Sequence, residues 1–205
     1  MQSNTAPSAP SLPFADSTAL GLFGLTIGCA SLLPVAFGVK EAFSPEALRT
    51  CALFCLLFGA GCQFLAGMMS LVNKNLLGGT LFTTFAFNWG INYLLLSGGM
   101  GAPDPHVMLS IDACFLVIFL VLTYGFGFYS SLLFAFLVDI DILYLARIIK
   151  ELAHTTAMNL PIALATVALA AIALYLAFAI LLNHASGRTI LKIPGPLFTP
   201  GPVSG

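Results

Sequence analysis

The stretch FGAGCQFLAGMMSLVNKNLLGGTLFTTFAFNW, from Phe58 to Trp89, contains two long apolar segments separated only by the short polar turn VNKN. Lys74, inside that turn, is the one charged residue of the stretch. A helix needs about twenty mostly apolar residues to cross the hydrocarbon core of a bilayer, where no water satisfies the backbone polar groups. The stretch therefore predicts two membrane-spanning helices joined by a tight turn.

The composition of the whole chain extends this prediction. The 205 residues are 59% hydrophobic and only 7% charged, whereas a soluble domain carries about a quarter charged residues. The chain therefore lacks the polar side chains that would cover a water-facing surface. Its net charge of -1 gives no reason to expect a nucleic-acid partner or a polybasic membrane-surface patch. We expect a multi-pass protein of the inner or plasma membrane, with the lipid bilayer as its surroundings.

Six segments are apolar enough and long enough to span the bilayer, which predicts an all-α membrane protein with six transmembrane helices in a compact bundle. Their ranges are 20–38, 48–71, 77–96, 107–126, 131–149 and 161–182. Ser44 followed by Pro45 is typical of a helix start. Between Cys114 and Val138 the chain is almost continuously apolar, so one longer span and five spans in all also fit; the two Gly and two Ser of GFGFYSS favour a turn there.

The two ends of the chain have a different composition. The N-terminus is rich in Ser, Pro and Ala, and the C-terminus in Pro and Gly. We expect residues 1–18 to form a disordered tail, residues 19–185 the transmembrane domain, and residues 186–205 a flexible C-terminal tail. No basic segment precedes the first apolar run, which argues against a cleaved signal peptide. The basic residues are divided three against four between the two sides, so they do not decide the orientation.

The cysteines and histidines give little indication of catalysis. All five cysteines lie in apolar segments. Cys51 and Cys55 share a helix face, but no His or carboxylate completes a metal site there, so packing roles are favoured. The three histidines lie in loops or at span ends, and no nucleophile–base pair is evident. We expect neither an enzyme nor a metal or other cofactor.

Small residues recur along the predicted spans. Gly24 and Gly28 form a GxxxG pair in the first span, and Gly59, Gly61 and Gly67 lie in the second. Small residues let helix backbones approach closely in lipid, where no hydrophobic force drives helices together. We expect most of these glycines to serve tight helix packing.

Three stretches, in order along the chain, resemble motifs of the acetate-uptake, or succinate–acetate permease, family of six-helix membrane proteins. LGLFGL, from Leu20 to Leu25, resembles the opening N-P-A-P-L-G-L-x-G-F. The stretch quoted first resembles F-G-G-x-x-Q-x-x-A-G, a turn around G-N, and F-G-x-T-A-F-T-S-Y-G-x-F-W. LLNHASGRTILKIPG, from Leu181 to Gly195, resembles the closing L-N-x-x-x-G-R-T-x-L-P-x-G. The chain is similar to a divergent member, because Asp16 replaces the motif's Asn and Lys192 replaces a proline.

The resemblance implies a homo-oligomer, typically a hexamer, in which each subunit encloses its own path for small monocarboxylates such as acetate. It also implies that both termini are cytoplasmic. Leu20 and Gly21 belong to the opening motif and are implied to border the path. Leu25 and Phe85 stand where the family has Phe and Tyr gate residues, so they are candidate constriction residues, with ordinary core packing as the alternative. Asn88 stands where the family has an apolar or aromatic residue.

Polar residues of the second and third spans are the other pathway candidates. Thr80, Thr84 and Asn88 are spaced i, i+4, i+8, which predicts one polar stripe on the third helix. Gln63 lies deep in the second span and is expected to face it. Amide and hydroxyl groups replace part of the hydration that a carboxylate loses in a narrow pore. The alternative is hydrogen bonding between helices.

The sequence LVDIDILYLARIIK, residues 137–150, brings charge into the fifth span. Asp139 and Asp141 are two residues apart, so a helix directs them to nearly opposite sides and they cannot both line one path. A charge at mid-bilayer costs at least about 2.5 to 3.5 kcal/mol, so each must be protonated, paired or exposed to water, with Asp112 among the possible distant partners. We expect Asp141 to be structural and to hydrogen-bond Tyr144, and Arg147 to reach the membrane interface.

For Asp139 a structural role, in which it holds subunits together, stays open beside two functional hypotheses. As a protonated carboxyl it is the proton carrier of an acid symporter; alternatively, the path has changed to a neutral or cationic solute such as urea or ammonium. The sequence thus predicts a proton-linked channel or transporter for small monocarboxylates such as acetate, with succinate as a further candidate substrate. A non-transporting membrane sensor or assembly subunit is the alternative from a different class.

Overall fold

The computed structural model describes residues 13–99 and 103–199, and within them the chain forms six long helices and no strand. The helices are α1 (Thr18–Ala36), α2 (Pro45–Val72), α3 (Leu76–Leu96), α4 (Pro105–Phe126), α5 (Ser131–Leu152) and α6 (Asn159–Ser186). A short 3-10 turn, Lys40–Phe43, precedes α2. The predicted all-α fold with six spanning helices is confirmed.

Local sequence signals account for the helix ends. The Ser44 hydroxyl accepts a hydrogen bond from the Ala47 N–H at 3.2 Å, so the predicted cap of α2 is present. α4 ends at Phe126, and α5 begins after Ser130, whose hydroxyl accepts from the Leu132 N–H at 3.2 Å. The turn at GFGFYSS therefore divides two spans, and the alternative of one longer span is wrong.

Four of the six helices, α1, α2, α4 and α6, are long and apolar enough to cross a membrane by composition alone. α3 and α5 are of similar length but more polar: α3 carries Asn88 and Asn92, and α5 carries Asp139, Asp141 and Arg147. Polar groups on a membrane helix are expected to face the bundle interior or a water-filled cavity. The two more polar helices are therefore where an internal site is expected.

Glycines bring the helices into close contact, as the sequence predicts. On α1, a Cβ added at Gly24 would lie 2.5 Å from the carbonyl oxygen of Phe58 on α2. Gly28 and Gly59 border the ring of Trp89, which a Cβ at these glycines would meet at 3.0 Å and 2.6 Å. The missing side chains therefore form a slot in which the single tryptophan of the chain lies between α1 and α2.

The middle of α2 is wound as a π-helix from Cys55 to Cys62. A π-helix has more residues per turn than an α-helix, because its hydrogen bonds join residues five apart. The buried residues Cys55, Gly59 and Gln63 are each four apart, and the wider winding keeps them on one face. Nothing in the sequence predicted this change of winding.

The described part of the C-terminal segment packs on the turn between α4 and α5. The Gly127 carbonyl accepts hydrogen bonds from the N–H groups of Leu197 and Phe198 at 2.8 and 3.0 Å, and the Ser131 N–H donates to the Gly195 carbonyl at 2.8 Å. The Phe198 ring lies against three aromatic rings, those of Tyr124, Phe128 and Phe134. Up to residue 199, the expected flexible tail is thus held by backbone hydrogen bonds and aromatic packing.

At the N-terminus, residues 1–12 of the tail expected to be disordered lie outside the described residues, as do residues 200–205 at the other end. Of the remainder, Phe14 is joined to Asn73 by two hydrogen bonds, of 3.2 and 3.0 Å. Ser17 is buried, and its hydroxyl donates to the Ala66 carbonyl at 2.9 Å. These contacts fix the start of α1 against the C-terminal end of α2.

Candidate functional site

Two internal cavities lie toward opposite ends of the helix bundle. The proximal cavity, beside the start of α1, has a volume of about 90 Å³ and its lining includes Thr18, Leu22, Asn75, Phe82, Tyr129 and Phe136. The distal cavity, beside the end of α1, has a volume of about 200 Å³ and its lining includes Cys29, Asn88, Trp89, Asn92, Tyr144 and Arg147. α1, α3 and α5 each contribute residues to both, so the cavities follow the same three helices.

Buried apolar side chains separate the two cavities. Along α1 the distance from Leu22 in the proximal cavity to Cys29 in the distal cavity is about 10 Å, at 1.5 Å per residue. Leu25 lies between them and is only 1% exposed. Phe85 closes the inner end of the distal cavity, and its ring packs against Phe119 with centroids 4.9 Å apart. We call Leu25, Phe85 and Phe119 the apolar constriction.

The structure brings part of the predicted pathway set to this axis. Leu25 and Phe85 lie at the constriction, and Asn88 lines the distal cavity. Gly21 is buried where a Cβ would meet the Phe82 ring at 2.6 Å, so it admits the aromatic side chain beside the proximal cavity. Leu20, in contrast, is 40% exposed on the outer surface of α1.

The predicted threonine stripe does not reach the cavities. Thr80 is exposed, Thr84 is half-buried, and neither lines the proximal or the distal cavity. Steps of four residues drift by about 40° each on an α-helix, so Thr80 points about 80° away from Asn88. Asn92, the next residue of the same row and one turn beyond Asn88, lines the distal cavity together with Asn88.

Gln63 lies on α2 between Gly59, which faces Trp89, and Gly67, which faces Thr83. Its side chain is 1% exposed, and its Oε1 has no hydrogen-bond partner among the described residues. The Trp89 Nε1 is likewise buried without a partner there. Because nearly all buried polar groups are hydrogen-bonded, these two atoms mark positions where water or a polar solute would be stabilised.

The two aspartates of α5 have different surroundings. Asp141 is buried; its Oδ2 accepts a 2.7 Å hydrogen bond from the Thr123 hydroxyl of α4, whereas its Oδ1 has no partner among the described residues. Its expected partner, Tyr144, instead stacks its ring on Phe119 of the constriction, with centroids 5.3 Å apart. Asp141 thus joins α4 to α5 through Thr123, as a structural role requires.

Asp139 is half-buried, and its Oδ2 has no partner among the described residues. The face of α5 that lines the cavities carries Phe136, Ile140 and Tyr144. At 100° per residue, Asp139 lies beside this face, on the side opposite to Asp141.

Arg147 forms an ion pair that the sequence did not predict. Its Nη2 and Nε contact Oδ1 and Oδ2 of Asp112 on α4 at 2.9 and 3.0 Å, a two-pronged ion pair in which Asp112 is almost fully buried. The guanidinium also lies over the Tyr144 ring, 5.4 Å from its centroid. The expectation placed Asp112 only among possible partners of Asp139 and Asp141, because sequence alone did not show which faces of α4 and α5 meet.

Within residues 13–99 and 103–199, no group of three or more His, Cys, Asp and Glu side chains is arranged to hold a metal ion. Cys51 and Cys55 are both buried and both contact the Ser31 hydroxyl, with sulfur–oxygen distances of 3.7 and 3.8 Å. They lie at the contact between α1 and α2, where the packing role favoured from sequence places them.

No protein-family model matches the chain, and no curated protein matches it. Among solved structures, the chain is similar to the bacterial acetate channel SatP, with a TM-score of 0.79 and 22% sequence identity over 88% of this chain and 99% of that one. At this identity the likeness establishes the fold. The chain therefore has the fold of a bacterial acetate channel, as the resemblance of its three motifs to the acetate-uptake permeases implies.

Proposed function

We propose that the protein is a membrane channel or transporter for small monocarboxylates such as acetate. The observation that carries the proposal is the pair of cavities along α1, α3 and α5, separated by one apolar constriction at Leu25 and Phe85. A path with polar ends and a hydrophobic constriction is one way in which channels admit a small solute and gate by dewetting. The similarity in fold to a protein named as an acetate channel supports the same function.

The lining of the cavities suits a small carboxylate with a methyl group. In the distal cavity the apolar walls are interrupted by the amides of Asn88 and Asn92 and by Arg147, all of which donate hydrogen bonds. Gln63, by contrast, is buried on α2 and lines neither cavity. A carboxylate would exchange water for the donors of the distal cavity while its methyl group meets the aromatic and aliphatic walls.

The assembly and orientation follow the family resemblance. We propose a homo-oligomer, a hexamer by that resemblance, with both termini in the cytoplasm and the proximal cavity on the cytoplasmic side. An outward-facing groove between α2 and α3 supports subunit contacts, because it contains Ala60, Gly61 and Gly90 and no Cβ contact lies within 4 Å of Gly90. Small residues on an outer helix face allow a neighbouring subunit to approach closely.

Proton linkage is proposed through Asp139. Its Oδ2 is buried without a partner among the described residues, and a carboxyl in such a place is stabilised by taking up a proton. Asp141 also has one buried oxygen without a partner among the described residues, but its other oxygen accepts from Thr123 of α4, so it serves as the structural counterpart on the same helix. Protonation of Asp139 while a carboxylate passes would keep the two negative charges from opposing each other.

The test is uptake of labelled acetate into proteoliposomes that hold the purified protein, with an imposed inward proton gradient. We expect protein-dependent acetate uptake that the proton gradient accelerates. In Asp139→Asn the gradient should no longer accelerate uptake, whereas in Asp141→Asn it should still do so. Gradient-driven uptake that Asp139→Asn leaves unchanged would assign Asp139 a structural role. Absence of acetate uptake by intact, oligomeric protein would overturn the proposal. Parallel uptake assays with urea and ammonium then test a neutral or a cationic substrate. If none of the three solutes is taken up, a non-transport role is indicated.

A further inference from the structure

Arg147 differs from every other cation of the described chain in that it lines an internal cavity and is held there from two sides. Asp112 fixes two of its N–H groups, and the Tyr144 ring supports its flat face. Its side chain is 28% exposed, whereas that of Asp112 is 4% exposed. The acid is thus behind the guanidinium, and the exposed part of the pair is the arginine.

A guanidinium carries five N–H groups, so the two that contact Asp112 leave three for another acceptor. Asn88 and Asn92 line the same cavity from α3, one helical turn apart, and neither side-chain amide has a hydrogen-bond partner among the described residues. Trp89, between them in sequence, lines the cavity too, and its Nε1 is buried without a partner. In the distal cavity, α3 and α5 therefore present several N–H groups that have no acceptor among the described residues.

We propose that Arg147, Asn88 and Asn92 form a binding site for a small carboxylate in the distal cavity, on the far side of the constriction from the proximal cavity. The inference deepens the proposed function and rests on it for the identity of the carboxylate. Asp112 occupies the Nε edge of the guanidinium and leaves the other edge for the solute, in the flat two-pronged geometry that arginine offers to carboxylates.

The ion pair also limits how tightly this site binds. Because Asp112 already balances the charge of Arg147, the solute is held by directed hydrogen bonds with little net attraction between charges. Glu151, one helical turn beyond Arg147 on α5, is half-buried and adds negative charge near the pair. Conduction requires sites that a solute enters readily and leaves readily. Asp112 is thus a positioning residue, which fixes the guanidinium and prevents the carboxylate from being trapped.

The single tryptophan of the chain provides a readout that does not depend on transport. Trp89 lines the distal cavity, so occupancy by a carboxylate changes its surroundings. Purified protein is titrated with sodium acetate at constant ionic strength while its tryptophan fluorescence is recorded, and acetamide, equal in shape but neutral, is titrated in parallel. We expect a saturable response to acetate and a much weaker one to acetamide.

The double variant Arg147→Gln/Asp112→Asn removes both charges and so leaves neither group buried alone. We expect it to raise the half-saturating acetate concentration at least about tenfold, the loss of one charge-assisted hydrogen bond. Lys150→Gln, which removes a positive charge from the same helix outside the cavity lining, is the matched control and stays within about twofold of wild type. Arg147→Lys keeps a charge opposite Asp112 but has no second flat edge, and we expect it also to weaken acetate binding.

The proposed site would be overturned if the double variant, or Arg147→Lys where the double variant does not fold, had a half-saturating acetate concentration within about twofold of wild type. The absence of a saturable response in the wild type would overturn it too. Uptake assays on the same preparations separate the two proposals. Acetate uptake without Arg147-dependent binding refutes this site alone, whereas Arg147-dependent binding without uptake refutes transport and leaves the site standing.

Discussion

Replacing Gly24 by alanine tests whether the contact between α1 and α2 sets the position of the constriction. The added Cβ would lie 2.5 Å from the carbonyl oxygen of Phe58 and 2.6 Å from the Cβ of Cys62. Contacting carbon atoms settle at about 3.5 to 4.0 Å, so the two helices must separate by about 1 Å. No change of rotamer relieves the clash, because the Phe58 atom belongs to the backbone.

The expected magnitude combines two opposing effects. Overpacking of a close contact costs about 1 to 3 kcal/mol, whereas alanine is more favourable than glycine inside a helix by about 0.5 to 1 kcal/mol. Gly125→Ala on α4 provides the control, because it gains the same helix preference and its Cβ meets only the flexible end of the Leu77 side chain, at 3.3 Å. The difference in the free energy of unfolding between the two variants therefore isolates the clash at about 1 to 3 kcal/mol.

Thermal unfolding of both purified variants in one detergent measures this difference. For a chain of 205 residues, about 2 to 4 °C of Tm correspond to each kcal/mol, so we expect Gly24→Ala to unfold about 2 to 12 °C below Gly125→Ala. Leu25 is the next residue on α1, and the helix shift should also change acetate flux in proteoliposomes. Equal Tm values for the two variants would refute the close contact of α1 with α2 through Gly24.

Three further substitutions probe the constriction, the α4–α5 contact and the C-terminal segment. Leu25→Ala widens the constriction, so we expect faster acetate uptake and entry of longer monocarboxylates, whereas Leu164→Ala, at a 53% exposed position of α6, should not change uptake. Thr123→Val removes the donor to buried Asp141, and we expect a loss of about 1 to 3 kcal/mol, seen as a lower Tm. Phe198→Ala removes the ring that packs on three aromatic side chains, and it should lower Tm and speed proteolysis of the C-terminal segment.

Neighbouring or chemically matched residues supply the controls for the last two substitutions. Thr50→Val removes a hydroxyl that is exposed and bonds only to its own helix, so a Tm loss as large as that of Thr123→Val would argue against the Thr123–Asp141 bond as the cause. Leu197→Ala truncates an exposed side chain; if proteolysis of the C-terminal segment responds equally to both truncations, the packing of the Phe198 ring does not hold it.

The spans were predictable from sequence because membrane insertion is decided locally, by length and hydropathy. The third span was expected over residues 77–96 and forms Leu76–Leu96, and the turn at GFGFYSS lies where its Gly and Ser residues indicated. The π-helical winding of α2 was not predictable in this way. Its effect is to keep Gly59 and Gln63 on one face, and the preference arises only once α1 and α3 are packed against that face.

The surroundings of a candidate site residue were predictable where its depth along the span decides them. They were not predictable where the rotation of the helix about its own axis decides them. Gln63 is deeply buried, as a polar residue in the middle of a span has to be. Thr80 shares a row of four-residue steps with Asn88, but each step drifts by about 40°, so only the far end of the row, Asn88 and Asn92, lines the distal cavity. Composition carries a further signal, because α3 and α5, the two helices that do not qualify as membrane spans by length and composition, both line the two cavities.

Once α4 and α5 are recognised as an antiparallel hairpin, the sequence also indicates that Arg147 and Asp112 can pair. Asp112 lies 14 residues before the end of α4, and Arg147 lies 16 residues after the start of α5, so the tight turn between them sets both at nearly the same depth, about 21 and 24 Å from the turn. An acid and a base at one depth on adjacent antiparallel helices are candidates for pairing, because each is costly alone in the bilayer. What the sequence leaves open is the rotation of each helix, and the aromatic contacts of Tyr144 with Phe115 and Phe119 fix it, since they require the same faces of α4 and α5 to meet.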